Sequence, residues 1–215
     1  VGENAAVKGN LFSFYFDRHG ISIKNFVING SISGIIVNSD NCLIENFTLL
    51  GNEIGVTLNG NDSVVRNSHI DATNTSFMIY GNENTVENNN VGSAMYGCQL
   101  HGDANVIQNN IFFGSQGTGV YGIYLDGIGN TIVDNAIYNA NHGIYLLQSN
   151  EIINNTFTQC FNALKLAHFS TVGYNEFISN TYGINASTYF LLNDASFSDN
   201  HVAIACYDIL AENLS

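Results

Sequence analysis

Ile23-Lys24-Asn25-Phe26-Val27-Ile28, Ile44-Glu45-Asn46-Phe47-Thr48-Leu49, Val65-Arg66-Asn67-Ser68-His69-Ile70, Val86-Glu87-Asn88-Asn89-Asn90-Val91 and Ile107-Gln108-Asn109-Asn110-Ile111-Phe112 succeed one another at an unbroken spacing of 21 residues. A period near 20 is too short for paired helices. It suits one coil of a β-solenoid, in which each coil buries against the next what it cannot bury alone. The segment returns at 132–137, 152–157, 172–177 and 192–197, so the repeat runs nearly end to end.

A second segment keeps step with the first: Gly34-Ile35-Ile36-Val37, Gly55-Val56-Thr57-Leu58, Ser76-Phe77-Met78-Ile79, Gly97-Cys98-Gln99-Leu100, Gly122-Ile123-Tyr124-Leu125, Gly143-Ile144-Tyr145-Leu146, Ala163-Leu164-Lys165-Leu166, Gly183-Ile184-Asn185-Ala186 and Ala203-Ile204-Ala205-Cys206. The small first residue leaves room for close approach, and the variable third position alternates outward. The pattern predicts an all-β, single-stranded parallel β-helix of about nine coils, 20–21 residues each, with two strands per coil and a third expected. At about 4.8 Å per coil the rod is roughly 40 Å long. Like residues then lie over like, which makes Ile28, Leu49, Ile70, Val91, Phe112, Ile137, Phe157, Phe177 and Phe197 a core column.

One domain over 1–215 is expected: an irregular first coil at 1–22, containing the alternating Leu11-Phe12-Ser13-Phe14-Tyr15-Phe16, regular repeats at 23–206, and a C-terminal end at 207–215. The start, Val1-Gly2-Glu3-Asn4, reads as a mature or trimmed product. No apolar run reaches the roughly 18 residues of a membrane span. Eighteen acidic residues stand against five basic ones, Lys8, Arg18, Lys24, Arg66 and Lys165, for a net charge of −13. That balance disfavours nucleic acid and anionic bilayers as partners, and polyanionic glycans unless a cation bridges them. Abundant Asn and Gly with no Pro or Trp suit short strands and tight turns.

Asn84, Asn105, Asn130 and Asn150 share one column, preceded by Cys42 and Ser63 and followed by Ser170. Amides stacked at coil spacing form a ladder, a structural feature rather than a catalytic one. Between Phe112 and Ile132 the coil gains four residues around 113–121. Such an insertion bulges from one face and either carries binding or is a tolerated surface loop.

The unit Gly-Ile-x-Leu, Asn-x-Ile, Asn-Asn-x-Phe, clearest over 143–157, resembles the right-handed parallel β-helix repeats of the pectin-lyase-like superfamily, in particular the NosD-type repeat, also described as the carbohydrate-binding and sugar-hydrolase repeat. The likeness covers about 23–206. It implies the fold, while the family's functions range over lyases, hydrolases, epimerases, tailspikes, adhesins and surface-layer components. The polygalacturonase-like Asp-Asp pair and Gly-His-Gly turn are absent, as is the epimerase-like Asp-Pro-His run. A pectate lyase-like base has one counterpart on the outward column, Lys165. Copper handling of the NosD kind lacks support, since Met78 and Met95 are isolated and the His residues scattered.

Three neighbouring columns face outward: Tyr96, Tyr121, His142 and Tyr182; Gln99, Tyr124, Tyr145 and Lys165; Asn59, Tyr80, His101 and Asp126. On coils four to seven they predict a glycan groove, with Tyr96, Tyr121, Tyr124, His142 and Tyr145 stacking on sugar rings and bonding sugar hydroxyls. Stacked Tyr rows also stabilise any β-helix flank by themselves. The candidates for acid, base or cation ligand are Asp126 beside His101 and Asp103, with Lys165 at the edge. Asp103 and Asp126 are candidate calcium ligands, although no repeating ligand motif accompanies them and no other cofactor is implied.

Cys98 and Cys206 take inward positions five coils apart, about 24 Å, beyond disulfide reach, and are read as buried. Cys42 sits in the ladder column, and Cys160, near a corner, is a candidate cross-link between chains. Asn-x-Ser/Thr sequons at Asn29, Asn46, Asn61, Asn74, Asn154, Asn185 and Asn213 accord with an extracellular or cell-surface location. Two functions follow. The first is a structural or adhesive surface protein that contacts glycans and self-associates through uncapped ends, the aromatic strand at 11–16 and the Ile204-Ala205-Cys206-Tyr207-Asp208-Ile209-Leu210 end. The second is a carbohydrate-active lyase, hydrolase or epimerase with its groove over coils four to seven.

Overall fold

The computed structural model describes residues 5–8, 12–92, 94–115, 117, 119–206 and 210–212, the side chains of 5–8, 12–13 and 210–212 excepted. It is an all-β parallel solenoid of about nine turns. A regular coil has three strands, as in Thr131–Val133, Ala136–Tyr138 and His142–Leu146, which we call faces one, two and three. Every strand pairs in parallel with its equivalents in the coils above and below: Ile132 with Ile107 and Ile152, Ile137 with Phe112 and Phe157, Ile144 with Ile123 and Leu164. The expected third strand is therefore present. In the early coils the faces merge into longer strands, all three in Leu43–Leu58 and faces two and three in His69–Ile79. Ahead of the regular repeats, Phe12–Phe16 already pairs in parallel with Ser33–Val37, and Ala5–Lys8 with Ser22–Asn29.

The corner between faces one and two turns on a single left-handed residue. Asn25, Asn46, Asn67, Asn88, Asn109, Asp134 and Asn154 all hold φ between 53° and 63° there. Asn and Asp tolerate this conformation better than other residues with a Cβ, which accounts for the recurring Asn of the repeat. The residue that follows points inward. In the first coils it is Phe26 and Phe47, whose stacked rings, 5.8 Å apart, fill the corner with Phe14 against their edges. From Ser68 to Asn175 it is polar, and at Ala195 it is small and apolar.

The predicted ladder exists at the corner between faces three and one. The backbone N–H of Asn84 donates to Asn105 Oδ1, that of Asn105 to Asn130 Oδ1 and that of Asn130 to Asn150 Oδ1, each at 2.8 Å. Cys42 and Ser63 lead into it and Ser170 closes it. A second ladder, missed in the sequence, runs through Ser68, Asn89, Asn110, Asn135, Asn155 and Asn175 at 2.8–3.0 Å. Its signal was in plain sight as the second Asn of the repeated Asn-Asn pair. Both rows are buried, so each amide satisfies backbone groups that a corner would otherwise orphan.

Between the ladders lies a continuous apolar core. Val65, Val86, Ile107, Ile132 and Ile152 from face one meet Ile70, Val91, Ile137, Phe157 and Phe177 from face two, all at 0% exposure. Cys42, Cys98 and Cys160 are buried free thiols. Cys206 is exposed, contrary to its expected inward burial: among the described residues no later strand stacks on Val202–Ala205 to cover it. Cys160 is 2% exposed, which removes it as a ready cross-link. The expected uncapped end at 207–210 falls mostly outside the described residues.

Candidate aromatic face on coils three to six

Face three carries the small-residue column, and that column builds the site. A Cβ at Gly97 or Gly122 would stand 2.5 Å from the carbonyl oxygen of the next coil's glycine, so only Gly permits this approach. The residue before each glycine is thereby held in register with its neighbours. Tyr96 stacks on Tyr121 with centroids 5.1 Å apart and planes 4° apart, and Tyr121 stacks on His142 at 5.0 Å and 22°.

The column two residues on supplies Tyr124 and Tyr145. Tyr124 meets Tyr96 and Tyr121 edge to face at 82° and 86°, while Tyr145 stacks beside Tyr121 and His142. At the outer corner Tyr80 stacks on His101 at 4.9 Å, and His101 lies against Tyr124. Seven rings on four successive coils thus form one contiguous surface. The five expected glycan-contact residues, Tyr96, Tyr121, Tyr124, His142 and Tyr145, all belong to it. Their orientation differs from the expectation, because Tyr96, Tyr121 and His142 cover one another's faces along the rod axis. Such rings turn edges and hydroxyls outward and leave the interior of the stack no free face for a sugar.

The surface is close to neutral. Burial, and then the Asp126 carboxylate and neighbouring phenols, raise the Tyr124 hydroxyl's pKa; burial and the Tyr96 and Tyr145 phenols raise that of Tyr121. Both remain protonated donors at neutral pH. Burial first, and then the Lys165 ammonium, lower the pKa of His142 and favour its neutral form. Asn162 Nδ2 donates to His142 Nδ1 at 3.3 Å, Asn185 Nδ2 to Asn162 Oδ1 at 2.8 Å, and Lys165 Nζ to Asn185 Oδ1 at 2.9 Å.

The candidate chemical groups separate. Asp126 Oδ1 sits 2.7 Å from His101 Nδ1, as their adjacency in the column predicts. Asp103 belongs elsewhere, in an outer row: its carboxylate accepts the Ile128 N–H, and its own N–H donates to Asn82 Oδ1. The two carboxylates therefore face different partners. Lys165 stands two coils, about 10 Å, from Asp126, too far to form one acid–base unit with it. Two other bases are committed to face one, where Lys24, Glu45, Arg66 and Glu87 alternate in a charge ladder. There Lys24, with Arg66 behind it, holds the Glu45 carboxyl below its ordinary value against a smaller opposing effect of burial.

The four-residue insertion enters between Phe113 and Tyr121, beside this face. Gly114 N donates to Tyr138 O at 2.7 Å, and a Cβ there would lie 2.8 Å from Ala140 Cα, so the bulge presses onto the following coil. Phe113 stacks on Tyr138 at 5.3 Å.

Stacked parallel strands, corner ladders and a decorated third face define a right-handed parallel β-helix of the pectin-lyase-like kind. The chain belongs to the NosD family, described as periplasmic copper-binding protein (NosD), whose profile it matches over residues 13–193. No curated protein matches the sequence. Among solved structures it resembles endopolygalacturonase I from Stereum purpureum, complexed with two galacturonates, at 14% identity and a TM-score of 0.43, covering 93% of this chain and 69% of that one. It also resembles the catalytic unit of a GH87 α-1,3-glucanase from Streptomyces thermodiastaticus strain HF3-3, at 13% identity and 0.38, covering 98% and 60%.

Copper favours thiolate, thioether and imidazole donors brought together. Here Cys42, Cys98 and Cys160 are buried on separate coils; burial pushes the Cys98 thiol far up and the Cys160 thiol to about 11. Met78 Sδ accepts a hydrogen bond from Tyr80, and Met95 is 51% exposed on another coil. Among the described residues no three His, Cys, Asp or Glu side chains gather. The described residues do not fit a resident copper centre.

Proposed function

We propose that the chain is an exported structural β-helix that contacts glycans through the ring face of coils three to six, with Lys165 and its Asn partners at the edge on coil seven. The contiguous surface of Tyr80, Tyr96, His101, Tyr121, Tyr124, His142 and Tyr145 carries this reading. Outward phenol hydroxyls donate to and accept from sugar hydroxyls, and rings already fixed by stacking lose little further entropy on binding. The family's periplasmic description supports a location outside the cytoplasm. Affinity electrophoresis through gels containing different polysaccharides tests it. Retardation by at least one polysaccharide, lost in Tyr121→Ala/Tyr145→Ala, is expected; uniform mobility across the panel would sink the reading.

Self-association is part of the same proposal. Among the described residues no strand pairs with the outer edges of Phe12–Phe16 or Val202–Ala205, and such edges accept either a further coil or a second copy. Mass photometry over a concentration series should show oligomers; monomers throughout would count against it.

The His101–Asp126 pair favours a second reading, a carbohydrate-active enzyme. A carboxylate-oriented imidazole is suited to proton transfer. Release of reducing sugar from any polysaccharide, with calcium present, that disappears in Asp126→Asn would establish this reading in place of the first.

A further inference from the structure

A depression of about 340 Å3 runs along the corner between faces two and three on coils six to eight. It begins at Ala140, against which the insertion presses, and at Asn141, and passes Gln159, Cys160 and Phe161 to Ser179 and Thr181. Its volume lies at the small end of the range for ligand sites, about 300–1,000 Å3. It also adjoins the ring face, since Asn141 immediately precedes His142 and Thr181 immediately precedes Tyr182.

Three observations say what it is shaped for. Phe161 is 49% exposed, and among the described residues its one ring contact is edge to face with Tyr182 at 5.6 Å. Its coil neighbours in register are Asn141 and Thr181, which are not rings. It therefore keeps an open face where Tyr121, with a ring stacked on it from each neighbouring coil, does not. The polar side chains of Asn141, Gln159, Ser179 and Thr181 make no hydrogen bond within the described chain. By contrast Asn180, just beneath them, accepts the Cys160 N–H and donates to Phe157 O and Asn200 Oδ1. Among the described residues no charged side chain lines the depression.

We propose that this corner is a subsite for one uncharged pyranose ring of a polysaccharide lying across the aromatic face. The sugar's C–H face rests on Phe161, and its hydroxyls exchange hydrogen bonds with the amides of Asn141 and Gln159 and the hydroxyls of Ser179 and Thr181. A chain of net charge −13 with no cation at this corner selects against acidic sugars. The proposal rests on the glycan-contact reading above and adds both a location and a substrate class.

Isothermal titration of the full chain with cellohexaose, maltohexaose, mannohexaose and hexagalacturonate tests it. At least one neutral hexasaccharide should bind, and hexagalacturonate about ten-fold more weakly or not at all. Phe161→Ala should lower affinity about ten-fold and Gln159→Ala a few-fold, whereas Phe161→Tyr retains binding. Tyr189→Ala, at an exposed ring on a different corner, is the control for general loss of surface aromatics, and thermal melts verify that each variant is folded. Undiminished binding in Phe161→Ala alongside loss in Tyr145→Ala overturns the subsite and leaves the aromatic face standing. Preference for hexagalacturonate overturns the substrate class. No binding by any of the four overturns both the subsite and the reading beneath it.

Discussion

Gly97 faces Phe112 so closely that a Cβ on the glycine would lie 2.8 Å from the ring's Cδ1, as well as 2.5 Å from the Gly122 carbonyl oxygen. Backbone and ring leave no slack at that point. The coil that carries Ser76 in the glycine's place has Val91 in the ring's place, a smaller residue opposite a larger one. Gly97→Ala should therefore destabilise the chain by about 1–3 kcal/mol in urea denaturation. Adding Phe112→Val should recover part of that loss, and simple additivity of the two changes would refute the pairing.

Asn110 tests the ladders. Its side chain accepts the Asn89 N–H and donates to Val86 O and Asn135 Oδ1, all within a buried corner. Asn110→Ala should cost about 1–3 kcal/mol because it orphans those groups. Asn82 performs an equivalent acceptor role for the Asp103 N–H at an exposed turn, where water can substitute. Asn82→Ala should cost well under half as much in the same assay.

Thiol accessibility should divide the cysteines one against three. Cys206 is exposed, whereas Cys42, Cys98 and Cys160 are buried. With its pKa pushed to about 11, Cys160 is a thiolate in about one molecule in a thousand at pH 8 even before access is considered. Maleimide at pH 7.5 should label one thiol per folded chain and four in denaturant, as read by intact mass.

His142 gives the chain a pH dependence of known sign. Its folded value is lowered from 6.5 by burial and by Lys165, so the unfolded chain takes up the proton more readily. The stabilisation is complete above about pH 6.5 and is lost as pH falls through the interval below it. His142→Gln should lose less stability between pH 7.5 and pH 5 than the native chain does. Parallel losses in the two proteins would show that His142 does not contribute.

The period made the fold legible because a solenoid turns sequence spacing directly into register. Ile28 through Phe197 could be placed in one column from the sequence, as could Asn84 through Asn150. Ring orientation was not legible: whether Tyr121 shows solvent its face or its edge is set by side-chain torsions and coil spacing, and neither is written in residue type. The same holds for Asp103 and Asp126, which stand near each other in sequence register while their carboxylates face Ile128 N and His101. Cys206 failed as a buried residue because inward position means burial only where another coil lies above. The corner at Phe161 repeats nowhere, so a reading based on repetition passes over it.

The ladders also give the molecule a direction. In both rows the backbone N–H reaches forward to a side-chain oxygen of the following coil, an amide's or a serine's, and among the described residues of the two rows none reaches back to one. Cut between two coils, each row would leave its backbone N–H on the earlier coil's broken surface and its side-chain oxygen on the later coil's, while every strand edge exposes donors and acceptors alike. The rows continue only head to tail, so any fibre that extends the ladders is vectorial, with every copy pointing the same way.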